Sequence, residues 1–337
     1  MTHATIKDIA KEVGVSHPTV SKALNQMPGV SEETREKIFA AAKKLNYVPN
    51  SAAKRLANQK NRSIGFIWPA DKGLFLYHLC TKLQEEAKKR NIDVLISLSE
   101  PAEALKNFQN HFIDFVFSWF LPEWRPDEKF LHEFKLYKGE LMLVGGGRLS
   151  GTHQLVIERA KGISNAVNYL ARCGHKRVAF FGLDSEKKTG YLSGMLENKM
   201  EYHDNYLSLV EKDYYADRSG YETELKEKLS ALWFSQSRPT ALILDSQNLA
   251  IGFLNVFRKL HISIPGDLSV ITYDDIPEYS MYPVGLTTCS PSCAEMVDFI
   301  LQTFEAWYSG GGQERLADKS LVPQLTVRES VKFIHNE

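Results

Sequence analysis

The sequence predicts an α/β protein, with a small all-α head followed by a two-lobed body built on parallel sheets. Three observations predict it. The first fifty residues carry apolar side chains at helical spacing, interrupted at Gly14 and at Pro28-Gly29. From Ser63 onward, short apolar runs alternate with amphipathic stretches, as buried parallel strands joined by helices do. That series starts again near Arg177, which divides the body into two lobes with a cleft between them.

In the head, Thr5 and Asp8 form a capping-box-like pair, and Ile6, Ile9, Ala10 and Val13 share one helical face. Gly14 supplies the backbone freedom of a tight turn. Ser16 caps a second helix, whose first turn tolerates Pro18 and whose apolar stripe is Val20, Ala23 and Leu24. Ser31 caps a third, with a stripe of Ile38, Phe39, Ala42 and Leu45. Two short helices joined at a glycine make a helix-turn-helix. The polar face of the second would carry His17, Pro18, Thr19, Ser21, Lys22 and Asn25. His17 and Lys22 can donate to guanine N7 and O6, while Thr19 or Ser21 can reach phosphate. A generic three-helix bundle with a polar face would have the same composition and spacing.

Charge separates the same two regions. Residues 1–60 hold ten Lys and Arg against five Asp and Glu, leaving 31 against 36 in the remainder of a chain whose net charge is zero. A basic head on an acidic body fits a nucleic-acid partner for the head. At 337 residues and 43% hydrophobic content, the chain can fill two or three folding units. Cys80, Cys173, Cys289 and Cys293 form no C-x-x-C pair and no zinc spacing; Cys289 and Cys293 would lie one turn apart if that stretch were helical. Scattered reduced thiols are expected, with no metal and no cofactor. No apolar run reaches membrane-spanning length and no signal-peptide core is present, so a cytoplasmic protein with no membrane partner is expected.

The motifs in order carry a resemblance. Thr5 to Ala10, Gly14-Val15-Ser16, Thr19 to Asn25, Val30-Ser31, Thr34-Arg35, Leu45-Asn46-Tyr47 and Pro49-Asn50 resemble the signature of the lac repressor family across the whole head. The resemblance implies a homodimer that places two recognition helices on a palindromic operator in double-stranded DNA. It adds Thr5, Ser16, Tyr47 and Asn50 to the candidate DNA contacts. Residues 50–58 are too short for a stable isolated helix. In the resembled family this segment is a hinge helix that folds on DNA. Leu56 would be its minor-groove wedge, with Ala53 and Ala57 letting two hinges pack closely. A buried core or interface leucine is the plain alternative for Leu56.

The body matches more loosely, at Gly174 to Ala179, Pro239-Thr240-Ala241, Ala250-Ile251-Gly252, Ile264-Pro265, Asp267 to Val270, Tyr273 to Ile276, Leu286 to Thr288 and Val327 to Ser330. The resemblance implies a periplasmic-binding-protein-like pair of lobes. The implied divisions are 1–49 for the head, 50–60 for the hinge and 61–337 for the body. One lobe would be roughly 61–160 with 291–321, the other 161–290 with 322–337. With only seven residues after Ser330, a dimer is expected rather than a tetramer.

Ligands of open α/β sheets bind beyond the carboxyl ends of the strands. There Asp274 matches a family position that accepts sugar hydroxyls, which suits a carboxylate's several acceptor directions. Phe75 and Tyr215 match cleft aromatics, Phe75 being placed in the loop after the first strand. Three positions depart from the family: Lys187 replaces arginine, Ser246-Gln247 replaces Asn-Asp, and Glu158-Arg159 replaces Asp-Asn. Lysine lacks arginine's planar fork. The effector is expected to be a sugar or sugar derivative, with a phosphorylated or otherwise charged sugar, a non-sugar metabolite or a protein co-regulator as alternatives.

The expected function is therefore a DNA-binding transcription regulator, a repressor, tuned by this effector. An enzyme is not expected: the run Gly145 to Gly151 fits neither G-x-G-x-x-G nor a phosphate loop, and no G-x-S-x-G or H-E-x-x-H occurs. A transport solute-binding module would suit the body but not the basic head.

Overall fold

The computed structural model describes residues 4–24, 27–47, 62–68, 73–183, 185–211, 215–312 and 317–334. Asn25, Asn50, Ala53, Leu56 and the expected hinge lie outside them. The chain divides into two compact units, Met1–Asn61 and Arg62–Glu337.

The first unit contains helices α1 (Ile6–Val13), α2 (His17–Leu24) and α3 (Glu32–Lys44). The backbone N–H and the hydroxyl of Thr5 both donate to the Asp8 carboxylate, at 2.8 and 2.7 Å, and these bonds hold Asp8 below the usual carboxylate range. Gly14 ends α1 at φ +73°, a left-handed conformation that suits glycine, and its amide reaches the Ala10 carbonyl. The Ser16 hydroxyl accepts from the Thr19 amide at 3.3 Å to open α2. Ile9, Val20, Ala23, Ile38 and Ala41 are buried at the centre. Arg35 reaches from α3 to the Ala23 and Met27 carbonyls at 3.1 and 3.2 Å, tying the end of α2 to α3. Phe39 departs from the predicted stripe and is 42% exposed. Positions 38, 41, 42 and 45 follow one face of the helix, whereas position 39 turns off it.

The second unit holds two six-stranded sheets among the described residues. The first sheet uses β1 (Ser63–Ile67), β2 (Asp93–Ser97), β3 (Phe115–Trp119), β4 (Glu140–Gly145) and β5 (His153–Ile157). Helices α4 (Leu74–Lys89), α5 (Pro101–Asn110) and α6 (Glu128–Leu136) connect them. The second sheet uses β6 (Val178–Phe181), β7 (Leu207–Ser208), β8 (Ala241–Leu244), β9 (Ser269–Tyr273) and β10 (Thr287–Ser290). Helices α7 (Arg159–Arg172), α8 (Ser185–Glu197), α9 (Arg218–Trp233) and α10 (Gln247–Lys259) accompany it. After α11 (Cys293–Ser309) the chain returns once to each sheet, as β11 (Lys319–Leu321) beside β5 and β12 (Gln324–Thr326) beside β10.

All pairings but β10 with β12 are parallel among the described residues. Parallel strands covered on both faces read as unbroken apolar runs, and β1, β3, β6, β8 and β9 are buried throughout. Cys289 lies within β10 and Cys293 begins α11, so the two cysteines share no helix. Ser290, Pro291 and Ser292 separate them, and the Ser292 hydroxyl caps α11. All four cysteines are free, and burial pushes the Cys289 and Cys293 thiols up to about 12.

Several residues of the body motifs are structural. His175 bridges Thr240 Oγ1 at 2.9 Å and the Lys332 carbonyl at 3.1 Å. The Ser330 hydroxyl donates to the Val270 carbonyl and accepts from the Thr287 amide, pinning the chain's last segment to the second sheet. Arg328 pairs with Asp275 at 2.9 Å and donates to the Leu286 carbonyl.

Candidate DNA-reading helix and effector cavity

The described candidate DNA contacts of α2 are held by the head core. Val20 and Ala23 anchor α2 in the head core, which turns His17, Pro18 and Lys22 outward as exposed residues and leaves Thr19 and Ser21 half-buried. The Thr19 and Ser16 hydroxyls bond each other at 2.8 Å at the start of this helix. Tyr47 packs against the head core, and Thr5 is exposed at the start of α1. The face therefore presents a ring, a cation and small hydroxyls, a set able to reach base edges and phosphates.

The body contains a cavity of about 490 Å³ at the carboxyl ends of both sheets. From the first sheet, Trp119 and Ile157 end β3 and β5, and Leu121 and Glu123 follow β3. From the second, Leu183 and Ser185 follow β6, Asp245 and Ser246 follow β8, and Tyr273 and Asp274 lie at the end of β9. Arg159 and Lys187 complete the charged part of the wall. Parallel strands bring these residues together because each strand delivers its next loop to the same edge.

Three of the five predicted effector residues, Lys187, Ser246 and Asp274, line this cavity. Lys187 is 8% exposed; its Nζ donates to the Asp245 carbonyl at 2.6 Å and stands 3.9 Å from the Tyr273 ring centre. Ser246 caps α10, its hydroxyl accepting from the Leu249 amide. Asp274 turns out of β9 at φ +66°. The other two lie elsewhere. Phe75 is not in a loop: it sits in the first turn of α4, buried in the core, with its ring 5.9 Å from that of Trp119. Its amide donates to Gln247 Oε1 at 3.1 Å. Tyr215 is 41% exposed in the turn before α9 and is not part of the cavity wall.

Sequence reading missed Asp245 and the role of Arg159. Asp245 Oδ2 accepts from the Leu183 amide at 2.7 Å, and a Cβ at Gly182 would come within 2.0 Å of that carboxyl group. Gly182, at φ +157°, thus makes room for Asp245 to close onto the neighbouring loop. The signal was visible as a glycine directly after an apolar strand. Arg159 is 3% exposed; its Nη1 donates to the Gly145 carbonyl at 2.5 Å and lies 3.5 Å from Glu186.

Comparison with known proteins identifies the chain. Residues 5–50 match the model of bacterial regulatory proteins of the lacI family, and residues 167–331 match the periplasmic binding protein-like domain. The probable HTH-type transcriptional repressor ExuR of Bacillus subtilis is 30% identical over 288 residues, covering 81% of this chain and 82% of the relative. The chain belongs to the lacI family of bacterial regulatory proteins. Catabolite control protein A of Priestia megaterium is 27% identical over 85% of this chain and 87% of its own length. The fold agrees: the lac repressor dimer bound to operator and an anti-inducer superposes with a TM-score of 0.80 at 20% identity, covering 98% of this chain and all of that one. This lacI-family member is thus a DNA-binding transcriptional regulator. No helix among the described residues is long and apolar enough to cross a membrane.

Proposed function

We propose that this regulator represses transcription by binding a palindromic operator as a homodimer, with a sugar or sugar derivative in the inter-lobe cavity tuning its affinity. The observation that carries the reading is the cavity itself. Lys187, Ser246 and Asp274, chosen from three distant parts of the sequence, lie on its wall. A carboxylate acceptor, a hydroxyl and aromatic surfaces are what recognition of a polyol needs. In this reading residues 1–49 read DNA, residues 50–60 form the hinge with Leu56 as its wedge, and 61–337 sense the effector and dimerise. A ligand held between the lobes favours one lobe orientation, and through it one state of the hinge; this couples two sites. The relatives fit the reading: the solved structures include a CelR–cellobiose complex with a TM-score of 0.63, and that ligand belongs to that protein.

The test is an operator gel shift with fractionated cell metabolites. One fraction is expected to change the operator affinity of the wild type and to leave Asp274→Ala unmoved. An affinity indifferent to every fraction would remove the effector from the account. For the hinge, Leu56→Ala is expected to weaken specific binding more than non-specific binding, because only specific binding kinks the operator. Equal losses would remove the wedge.

A further inference from the structure

The chain passes between the two sheets after β5, after β10 and after β11. In the first sheet β5 and β11 are neighbours at one edge, whereas β3 and β1 lie toward the other. On that other side, side chains join the sheets. The Phe75 amide, beyond β1, donates to Gln247 Oε1, beyond β8, at 3.1 Å, and Gln247 is buried. His78 Nε2 stands 3.0 Å from the half-buried Glu278 carboxylate. The Ser185 hydroxyl, beyond β6, donates to the Glu123 carboxylate, beyond β3, at 2.7 Å, and both residues are exposed. Water competes for an exposed hydrogen bond, so of these three contacts the last is the most easily broken.

The segment that carries Glu123 is braced and closely seated. The Trp124 amide donates to the Leu121 carbonyl at 3.0 Å, and Arg125 Nη1 donates to the Pro122 and Trp124 carbonyls at 2.8 Å. The Phe120 and Trp124 rings stack at 3.7 Å. Against this segment lies the glycine run that ends β4. A Cβ at Gly146 would come within 2.5 Å of the Pro122 nitrogen, and one at Gly147 within 2.9 Å of the Trp124 ring. The run that fits no nucleotide motif is thus a seat, because bare backbone lets a second segment approach closely. Leu121 and Glu123 line the cavity from that segment.

We propose that residues 120–125 form a releasable strap, seated on Gly146 and Gly147 and clasped to Ser185, which biases the body toward the arrangement in which the two sheets close on the cavity. The crossing strands supply the hinge edge, and the strap holds the opening side. The strap acts whatever the cavity binds. An exposed clasp shifts such an equilibrium by about threefold to tenfold, enough to bias it and little enough for a ligand to overcome.

Amide hydrogen exchange of the full chain, read by mass spectrometry at single-residue resolution, tests this, because exchange reports the population of opened forms. The reporters are Phe120 and Trp124 in the strap, and Phe75, whose amide joins the sheets through Gln247 instead. Ser185→Ala and Glu123→Ala are each expected to speed exchange at all three by about threefold or more. The double variant is expected to exchange no faster than either single one. Ser185→Thr keeps the hydroxyl and is expected to stay near the wild type. Gly146→Ala, which lifts the strap from its seat, is expected to match Ser185→Ala; if it does not fold, the Ser185 and Glu123 variants decide alone. Faster exchange at Phe120 and Trp124 with Phe75 unchanged would make the clasp a local contact and overturn the proposal. Unchanged exchange at all three reporters in Ser185→Ala would overturn it as well, and so would effects of the two single variants that add in the double.

Discussion

The head and the body solve recognition in opposite ways. In the head, most of the described candidate contacts sit on one eight-residue helix, α2, exposed at His17, Pro18 and Lys22 and half-buried at Thr19 and Ser21, while five buried residues form the core behind it. In the body, the candidate cavity wall joins buried side chains such as Arg159, Lys187 and Asp245 to more exposed ones such as Leu121 and Leu183, from the ends of strands and helices spread from Trp119 to Pro291. The head therefore depends on a small core, and the body on a crossing topology. Stability should follow: a unit of about 60 residues has little reserve, whereas one of about 275 buries a large fraction of its surface.

Matched truncations sharpen this comparison most. Ile38 and Ile271 are both fully buried, one in each unit. Ile→Ala at either site should cost about 2–5 kcal/mol. In the head that loss is expected to abolish folding and operator binding while the body melts as before. In the body it should lower one transition and leave the head folded. Thermal unfolding followed by circular dichroism, with a gel shift alongside, reads both. Equal effects on operator binding would break the comparison.

A second, smaller effect should belong to the body alone. Burial lowers the pKa of His175 from its ordinary 6.5 to about 4. The unfolded chain then binds the extra proton between those values, so stability is full above the unfolded pKa and falls as pH drops toward the folded one. A loss of about 2 kcal/mol is expected between about pH 7.5 and about pH 5. Urea midpoints of the body should show it, and His175→Gln should flatten the slope. A slope unchanged by that variant would mean that other groups carry the acid response.

The smallest effect returns to the head. The Ser31 hydroxyl accepts from the Thr34 amide to cap α3. Ser31→Ala should cost about 1 kcal/mol, seen as a lower head melting temperature with no change in the body.

The same contrast explains what the sequence could reveal. The head was legible because its information is local: Gly14 ends one helix, Ser16 and Ser31 begin others, and apolar spacing orients α2. Phe39 was misread because a stripe at 38, 42 and 45 continues through 41, not 39. The body's strands were legible as apolar runs; a strand end together with the family resemblance pointed to Asp274, and the resemblance alone to Ser246 and Lys187, all three on the cavity wall. Phe75 was placed in a loop because nothing local shows that α4 begins at Leu74. Short β7, β11 and β12 carry two or three residues each, too few for a periodic signal. Asp245 and Arg159 needed the fold, since their partners, Leu183 and Gly145, are far away in sequence.

The central claim is that this protein reads a specific, symmetric DNA site. Selection of bound sequences from a random DNA pool by the full chain, at fixed salt because affinity depends steeply on it, tests that most directly. The account predicts recovery of a palindrome with a C-G step at its centre. Recovery of bound DNA with no sequence preference would contradict it.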